Sequence, residues 1–222
     1  MRKSKRRAAV TINTGKQFQN DSPIGQAIGN ILTLCGLNLL WILCSIPIIT
    51  AGASTCALHF ALNQFRKKEE GIFRAFFRSF QKNFKQATLL WLLILVVGFS
   101  LFACFRIALV LEGTMQTLVT GLLCIPAILL AMIAGYGFPL LAQFEIKSCW
   151  MLIADTVMLG IAYFPKTIQI IALNILPIVI IAALPSLVVC VFFVWVPIGF
   201  SLIALLIENR LEPVFGALQQ DQ

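Results

Sequence analysis

An all-α fold threaded repeatedly through a membrane is what this sequence predicts, and three observations carry the prediction. Of its 222 residues, 59% are hydrophobic and 12% charged, where a soluble domain carries about 25% charged residues. That leaves too little polar surface to cover a globule in water. Several separate apolar runs reach about 20 residues, the length of helix that crosses a bilayer core. The cations that give a formal charge of +8 are bunched at Arg2–Arg7 and Arg66–Lys85, as in loops kept on the cytoplasmic side. The basic balance is therefore assigned to orientation and not to nucleic acid.

Residues 1–22 read as a basic cytoplasmic tail, since no apolar core or cleavage site of a signal peptide follows the charges. Ser22-Pro23 has the form of a helix start, a serine cap before a proline at the first helical position. The first span is expected over Ile24–Pro47, where Pro47 disfavours helix at the residue before it. Thr50-Ala51-Gly52-Ala53-Ser54-Thr55 then offers small residues that let helices approach and hydroxyls that satisfy freed backbone groups. Ile48–Phe65 is short for a second span. If it crosses, the cations of Arg66–Lys85 fall on the same side as the basic tail, so it is assigned as crossing.

Within Ile72–Lys85, Phe73, Phe76, Phe77, Phe80 and Phe84 recur at helical spacing, with Arg74, Arg78, Lys82 and Lys85 on another face. The pattern predicts a helix lying on the cytoplasmic membrane surface, with the aromatic side toward acyl chains and the cations toward anionic headgroups. Spans three and four are expected over Ala87–Leu111 and Met115–Leu141, joined by an outer turn at Glu112-Gly113-Thr114. Phe144–Gly160 reads as a second surface helix, followed by spans over Thr167–Leu184 and Ser186–Ile207. The expected architecture is about six transmembrane helices in three hairpins, with two amphipathic helices on the cytoplasmic face and both termini inside. The membrane domain occupies residues 23–212 and a short cytoplasmic tail residues 213–222. All of the 17 cations except Arg106 then lie inside.

No catalytic constellation appears. The single histidine, His59, stands in no zinc-hydrolase motif, and there is no phosphate-binding loop or nucleophile elbow. The seven cysteines lack CxxC spacing and mostly sit in apolar runs, so they read as small hydrophobes without a disulfide or metal role. Glu112, Glu145, Asp155 and Glu208 all fall near predicted helix ends. Polar residues at membrane depth are functional candidates by default. Asn38, His59 and Asn174 qualify, with Asn63 and Gln64 nearer the inner face, and for Asn38 and His59 hydrogen bonds to each other or to a neighbouring helix are the plainer role. The expectation is a protein with no catalytic residues, no cofactor and no metal.

Asn38-Leu39-Leu40-Trp41, Pro47-Ile48-Ile49-Thr50, Gly52-Ala53-Ser54 and Ala57-Leu58 resemble the YesL family of bacterial membrane proteins, a domain of unknown function. So do Glu70-Gly71, Phe76, Phe80 and Asn83-Phe84-Lys85-Gln86-Ala87-Thr88. Phe144 and Phe164-Pro165-Lys166-Thr167 are similar to the family's second cytoplasmic segment. The resemblance implies association with carbohydrate-uptake genes and no established reaction. It also implies tyrosine in many members where His59 stands here.

Two groups of candidate residues follow. Asn38, Trp41, Pro47, Thr50, Gly52, Ser54 and Thr55 form a structural or functional core. Phe76, Arg78, Phe80, Asn83, Phe84 and Lys85 form a surface for lipid or a protein partner. The expected function is a multi-pass cell-membrane protein that assists carbohydrate uptake without catalysis, touching membrane lipids and a carbohydrate ABC transporter or another membrane protein. The competing reading is a transport pore or ABC permease subunit for a sugar or other small solute. Ala154–Gly160 matches the importer coupling pattern only faintly. A membrane enzyme ranks third.

Overall fold

The computed structural model describes residues 23–146, 148–183 and 195–220, and among them the chain is helical with no strand. Helix α1 is Pro23–Ser45, α2 is Ala51–Arg66, and α3 is Ile72–Ala108. Then come α4, Gly113–Gln143, α5, Cys149–Ala162, and α6, Phe164–Ala183. A π-helical turn at Trp195–Gly199 leads into α7, Phe200–Gln220. By length and composition α1, α3 and α4 can each cross a membrane. The pair α5 and α6, bent by 107° at their junction, makes a fourth candidate if taken as one broken span. The all-helical, membrane-type character of the sequence is borne out.

Several expected elements take another form. Pro47 ends the first helix as anticipated, and Ile48–Thr50 adds a 3-10 turn. The expected second span is a 16-residue helix, only about 24 Å long against a bilayer core of about 30 Å. Nine of its residues are buried by other helices.

The surface helix at Ile72–Lys85 and the third span are not separate. They fuse into the 37-residue α3, about 55 Å long. No proline or glycine interrupts the sequence between Ile72 and Val97, so nothing breaks the hydrogen-bond ladder where basic residues give way to apolar ones. The amphipathic segment therefore continues the axis of the apolar one and does not lie flat beneath it. The second predicted surface helix survives as α5, set at a steep angle to α6. Residues 186–194 of the predicted sixth span, and the basic tail, lie outside the described residues, and the rest of that span forms the π-helical turn and the start of α7. The boundary expected at residue 213 falls inside α7, where Val214 and Phe215 are buried.

Contacts set the heights of these helices. Gly52 at the start of α2 abuts Ala87 and Trp91 of α3. The Trp91 indole donates to the Ile48 carbonyl at 2.8 Å. Near the other end of α2, Phe60 lies under the Arg78 guanidinium. The turn joining α2 to α3 needs a left-handed residue, supplied by Gly71 at φ 77°. Helix α1 runs antiparallel to α2, with Trp41 against Thr55 and Gly36 against Phe73. Hence α1 and α2 stand beside the basic half of α3, together with the last third of α4 and with α7. The rest of α3 and the first half of α4 project beyond them as an apolar hairpin. Its outer residues Val96, Phe99, Phe102, Leu118, Leu122 and Ile125 are all exposed. The packed core sits wholly in the lower part, around Leu37, Leu58, Phe76, Leu90, Tyr136, Leu141 and Leu211.

Candidate functional site

The predicted core residues do come together, as a polar seam between α1, α2 and the turn before α7. Thr50 Oγ1 donates to the carbonyls of Cys44 at 2.6 Å and Pro47 at 2.8 Å, closing the turn that Pro47 opens. Ser54 Oγ reaches the Trp41 carbonyl at 2.9 Å, and Trp41 Nε1 donates to Thr55 Oγ1 at 3.1 Å. The Trp41 ring stacks on Phe200, centroids 4.2 Å apart. A β-carbon on Gly52 would stand 2.4 Å from the Ala87 carbonyl oxygen, so only glycine admits α3 this closely.

Asn38 is fully buried and does not pair with His59. Its Nδ2 donates to the Val196 carbonyl at 2.6 Å, and its Oδ1 accepts from the Ser201 amide at 2.9 Å. Those two backbone groups are five positions apart, the separation of a π-helical bond. Pro197, between them, has no N–H to offer. The Asn38 amide thus takes both polar groups where the helix is distorted. In a low-dielectric interior each would otherwise be costly. These contacts assign the seam a structural role.

The second predicted group divides. Phe76 is fully buried, and Phe80 partly, so the stripe read as lipid-facing turns inward against α2. Phe73, Phe77 and Phe84 stay outside with Arg74, Arg78, Lys82 and Lys85. The reason is competition for one helix face, since the small residues Ala75 and Ser79 flank Phe76 and let α2 in there. Phe80 through Gln86, with Phe144, Glu145 and Ile146, line a groove of about 800 Å³. Lys82 forms an ion pair with Glu145 across it, and Gln86 Nε2 donates to the Ile146 carbonyl at 2.8 Å. The Lys82 ammonium, by hydrogen bond and then by charge, holds the Glu145 carboxyl below its ordinary range. A smaller cavity of about 360 Å³ adjoins it, sharing Lys82, Asn83, Phe144 and Glu145 and adding Arg78 and Gln143.

Behind that cavity lies a site the sequence did not disclose. Glu208, expected near a helix end, is 0% exposed. Its Oε1 lies 2.9 Å from His59 Nδ1, and its Oε2 accepts from Gln143 Nε2 at 2.7 Å. Arg66 donates to the Glu208 main-chain carbonyl at 3.1 Å while its guanidinium pairs with Glu212. Three helices, α2, α4 and α7, thus meet on one carboxylate. A lone histidine and an acid at the end of an apolar run were the available signal. Among the described residues no group of three or more His, Cys, Asp or Glu is placed to hold a metal.

The lower part of the molecule also fixes the bend between α5 and α6. Tyr136 hydroxyl meets Thr167 Oγ1 at 2.8 Å, and Thr167 in turn reaches the Gly160 carbonyl at 2.8 Å.

Fold and site together define an all-helical protein of membrane type, with a basic groove at one end and a buried carboxylate behind it. The chain is similar to the YesL family: a family model described as "Protein of unknown function, DUF624" matches residues 34–104. That match covers α2, the second half of α1 and all but the last turn of α3. The chain is also 27% identical over 122 residues to "Uncharacterized protein YesL" of Bacillus subtilis (strain 168). The aligned stretch is 53% of this chain and 57% of that relative's length. No solved structure matches the chain.

Proposed function

We propose that this protein is a non-enzymatic accessory to carbohydrate uptake in the cell membrane, and that its groove receives a segment of a carbohydrate ABC transporter. The groove carries the reading. Seven consecutive α3 residues line it, with aromatic rings at Phe80, Phe84 and Phe144 and cations at Lys82 and Lys85. Aromatic anchors rimmed by charge are what protein interfaces select. An acidic segment of the partner complements the surplus of cations on α3. A photo-crosslinker at Phe84, used in the native host with that transporter expressed, is expected to give an adduct with a transporter subunit. Adducts with lipid alone remove the reading.

The membrane arrangement belongs to the same proposal: six crossings, both termini cytoplasmic, the Leu109–Glu112 turn outside and the groove inside. The distribution of cations supports it. Single cysteines at Gly71 and Gly113, in a background without the native cysteines, test it in whole cells. Labelling by an impermeant reagent is expected at Gly113 only, and labelling at Gly71 overturns the arrangement.

A pore or permease subunit is the second reading, favoured by the ionisable Glu208 buried among helices. Liposomes containing the purified protein that move a sugar, with or without an ATPase, would place it first.

A further inference from the structure

We infer that the smaller cavity beside the groove binds a phosphate group, with the headgroup of an anionic phospholipid as the source its position favours. The phosphate chemistry is independent of what occupies the groove, since Phe84 and Lys85 line the groove and not this cavity. The lipid source rests on the membrane arrangement proposed above.

The walls come from three helices. Phe60 belongs to α2, Arg78 and Asn83 to α3, and Gln143 to the end of α4. A volume of about 360 Å³ lies within the range of small-ligand pockets. The Arg78 guanidinium is held over the Phe60 ring, 5.9 Å from its centroid. A cation–π contact needs no acceptor, so it positions the fork of N–H donors and leaves them to oxygen ligands, which in a phosphate match the fork two at a time. Two carboxamides add to it. Asn83 Nδ2 donates to Ser79 Oγ at 3.3 Å, and Gln143 Nε2 to Glu208 Oε2 at 2.7 Å. Each nitrogen carries a second N–H, on a side chain already fixed by the first.

Charge points the same way. Arg78, Lys82 and Glu145 line the cavity, and Lys82 already pairs with Glu145. These three side chains leave a surplus of one positive charge, the complement of a phosphodiester with its single negative charge. Position selects the source. Asn83 stands one turn before Ala87, where the apolar half of α3 begins, and Arg78 stands within about three turns of it. With that half in hydrocarbon the cavity lies at headgroup level, and basic pockets between helices on the cytoplasmic side are where anionic headgroups bind.

The test exploits a neighbouring cation. Arg74 and Arg78 are both exposed on α3, four residues apart, and only Arg78 lines the cavity. The full chain in uncharged detergent is titrated with short-chain phosphatidylglycerol and, separately, with glycerol phosphate, and bound molecules are counted by native mass spectrometry. Arg78→Gln is expected to weaken phosphatidylglycerol binding about tenfold or more, the effect of losing charged hydrogen bonds. Arg74→Gln is expected to weaken it less than about twofold, as befits a screened surface charge. The same dependence on Arg78 with glycerol phosphate alone upholds the site and makes its ligand a soluble ester. Failure of both compounds to bind overturns the inference, as do equal losses in the two variants. A tetraglutamate peptide that binds as tightly, with the same dependence on Arg78, overturns the assignment to phosphate. Crosslinking from Phe84 reports on the groove separately, so either reading can fail without the other.

Discussion

The two halves of α3 differ in what keeps them helical. From Ile72 to Leu90 the helix buries Ala75, Phe76, Ser79, Ala87 and Leu90 against neighbouring helices and turns its cations outward. From Trp91 to Ile107 it buries no residue fully, and it leaves Val96, Phe99 and Phe102 exposed. The first half resembles a helix of a soluble core, specified by interdigitation. The second half needs only an apolar medium and one partner helix, α4. One continuous rod thus passes from a region determined by protein contacts to one determined by solvent.

The sharpest way to break this contrast uses one residue type at two places on the same rod. Phe76 is 0% exposed and Phe99 is 74% exposed. Phe76→Ala is expected to cost about 3–5 kcal/mol, and Phe99→Ala to change stability by no more than about 0.5 kcal/mol. Thermal unfolding of both variants in the same detergent checks this, and equal losses would erase the distinction.

Next come two glycines. A methyl at Gly52 meets the Ala87 carbonyl, whereas nothing lies within 4 Å of one at Gly121. Gly52→Ala is expected to destabilise by about 1–3 kcal/mol through overpacking. Gly121→Ala is expected to be neutral or slightly stabilising, because alanine favours helix. Denaturation midpoints of the pair decide.

Asn38→Leu removes the side chain that holds the Val196 carbonyl and the Ser201 amide. A loss of about 1–3 kcal/mol is expected, with faster amide hydrogen exchange at Ser201 than in the native protein. Unchanged exchange would show that water or backbone takes over.

The smallest effect concerns the groove. The folded-state carboxyl of Glu145 titrates below its unfolded value, so whatever stability the Lys82 contact contributes is present above the ordinary carboxylate range and fades as pH falls through the folded value. Because the pair is exposed, little stability rests on it. Lys82→Met is expected to return Glu145 to the ordinary range in a carboxyl NMR titration while leaving the unfolding temperature nearly unchanged.

Much of this was legible in the amino acids. Run length and the clustering of charge gave an all-helical membrane-type chain, and Pro47 marked the end of α1. The small and hydroxyl residues after Pro47 gave the close α2–α3 approach and the polar seam. Periodicity placed Phe76 and Phe80 on one face of α3 but could not say what that face meets. An aromatic stripe fits lipid and a neighbouring helix equally well, and only the packing of α2 decides. The fusion of the expected surface helix with the third span was hidden for a related reason, since composition changes at Lys85 while the backbone has no cause to break there. Glu208 was missed because its burial depends on His59 and Gln143, distant in sequence and supplied by two other helices.

The link from Asn38 to the π-helical turn spans 158 positions. During synthesis helix α1 emerges long before that turn exists, so its buried amide must wait for a partner made 158 positions later. The start of the last helix, equally, cannot complete its ladder of backbone bonds on its own. Segments far apart in time are thereby made to close on one another, and a product cut short before Val196 would leave the Asn38 amide unanswered.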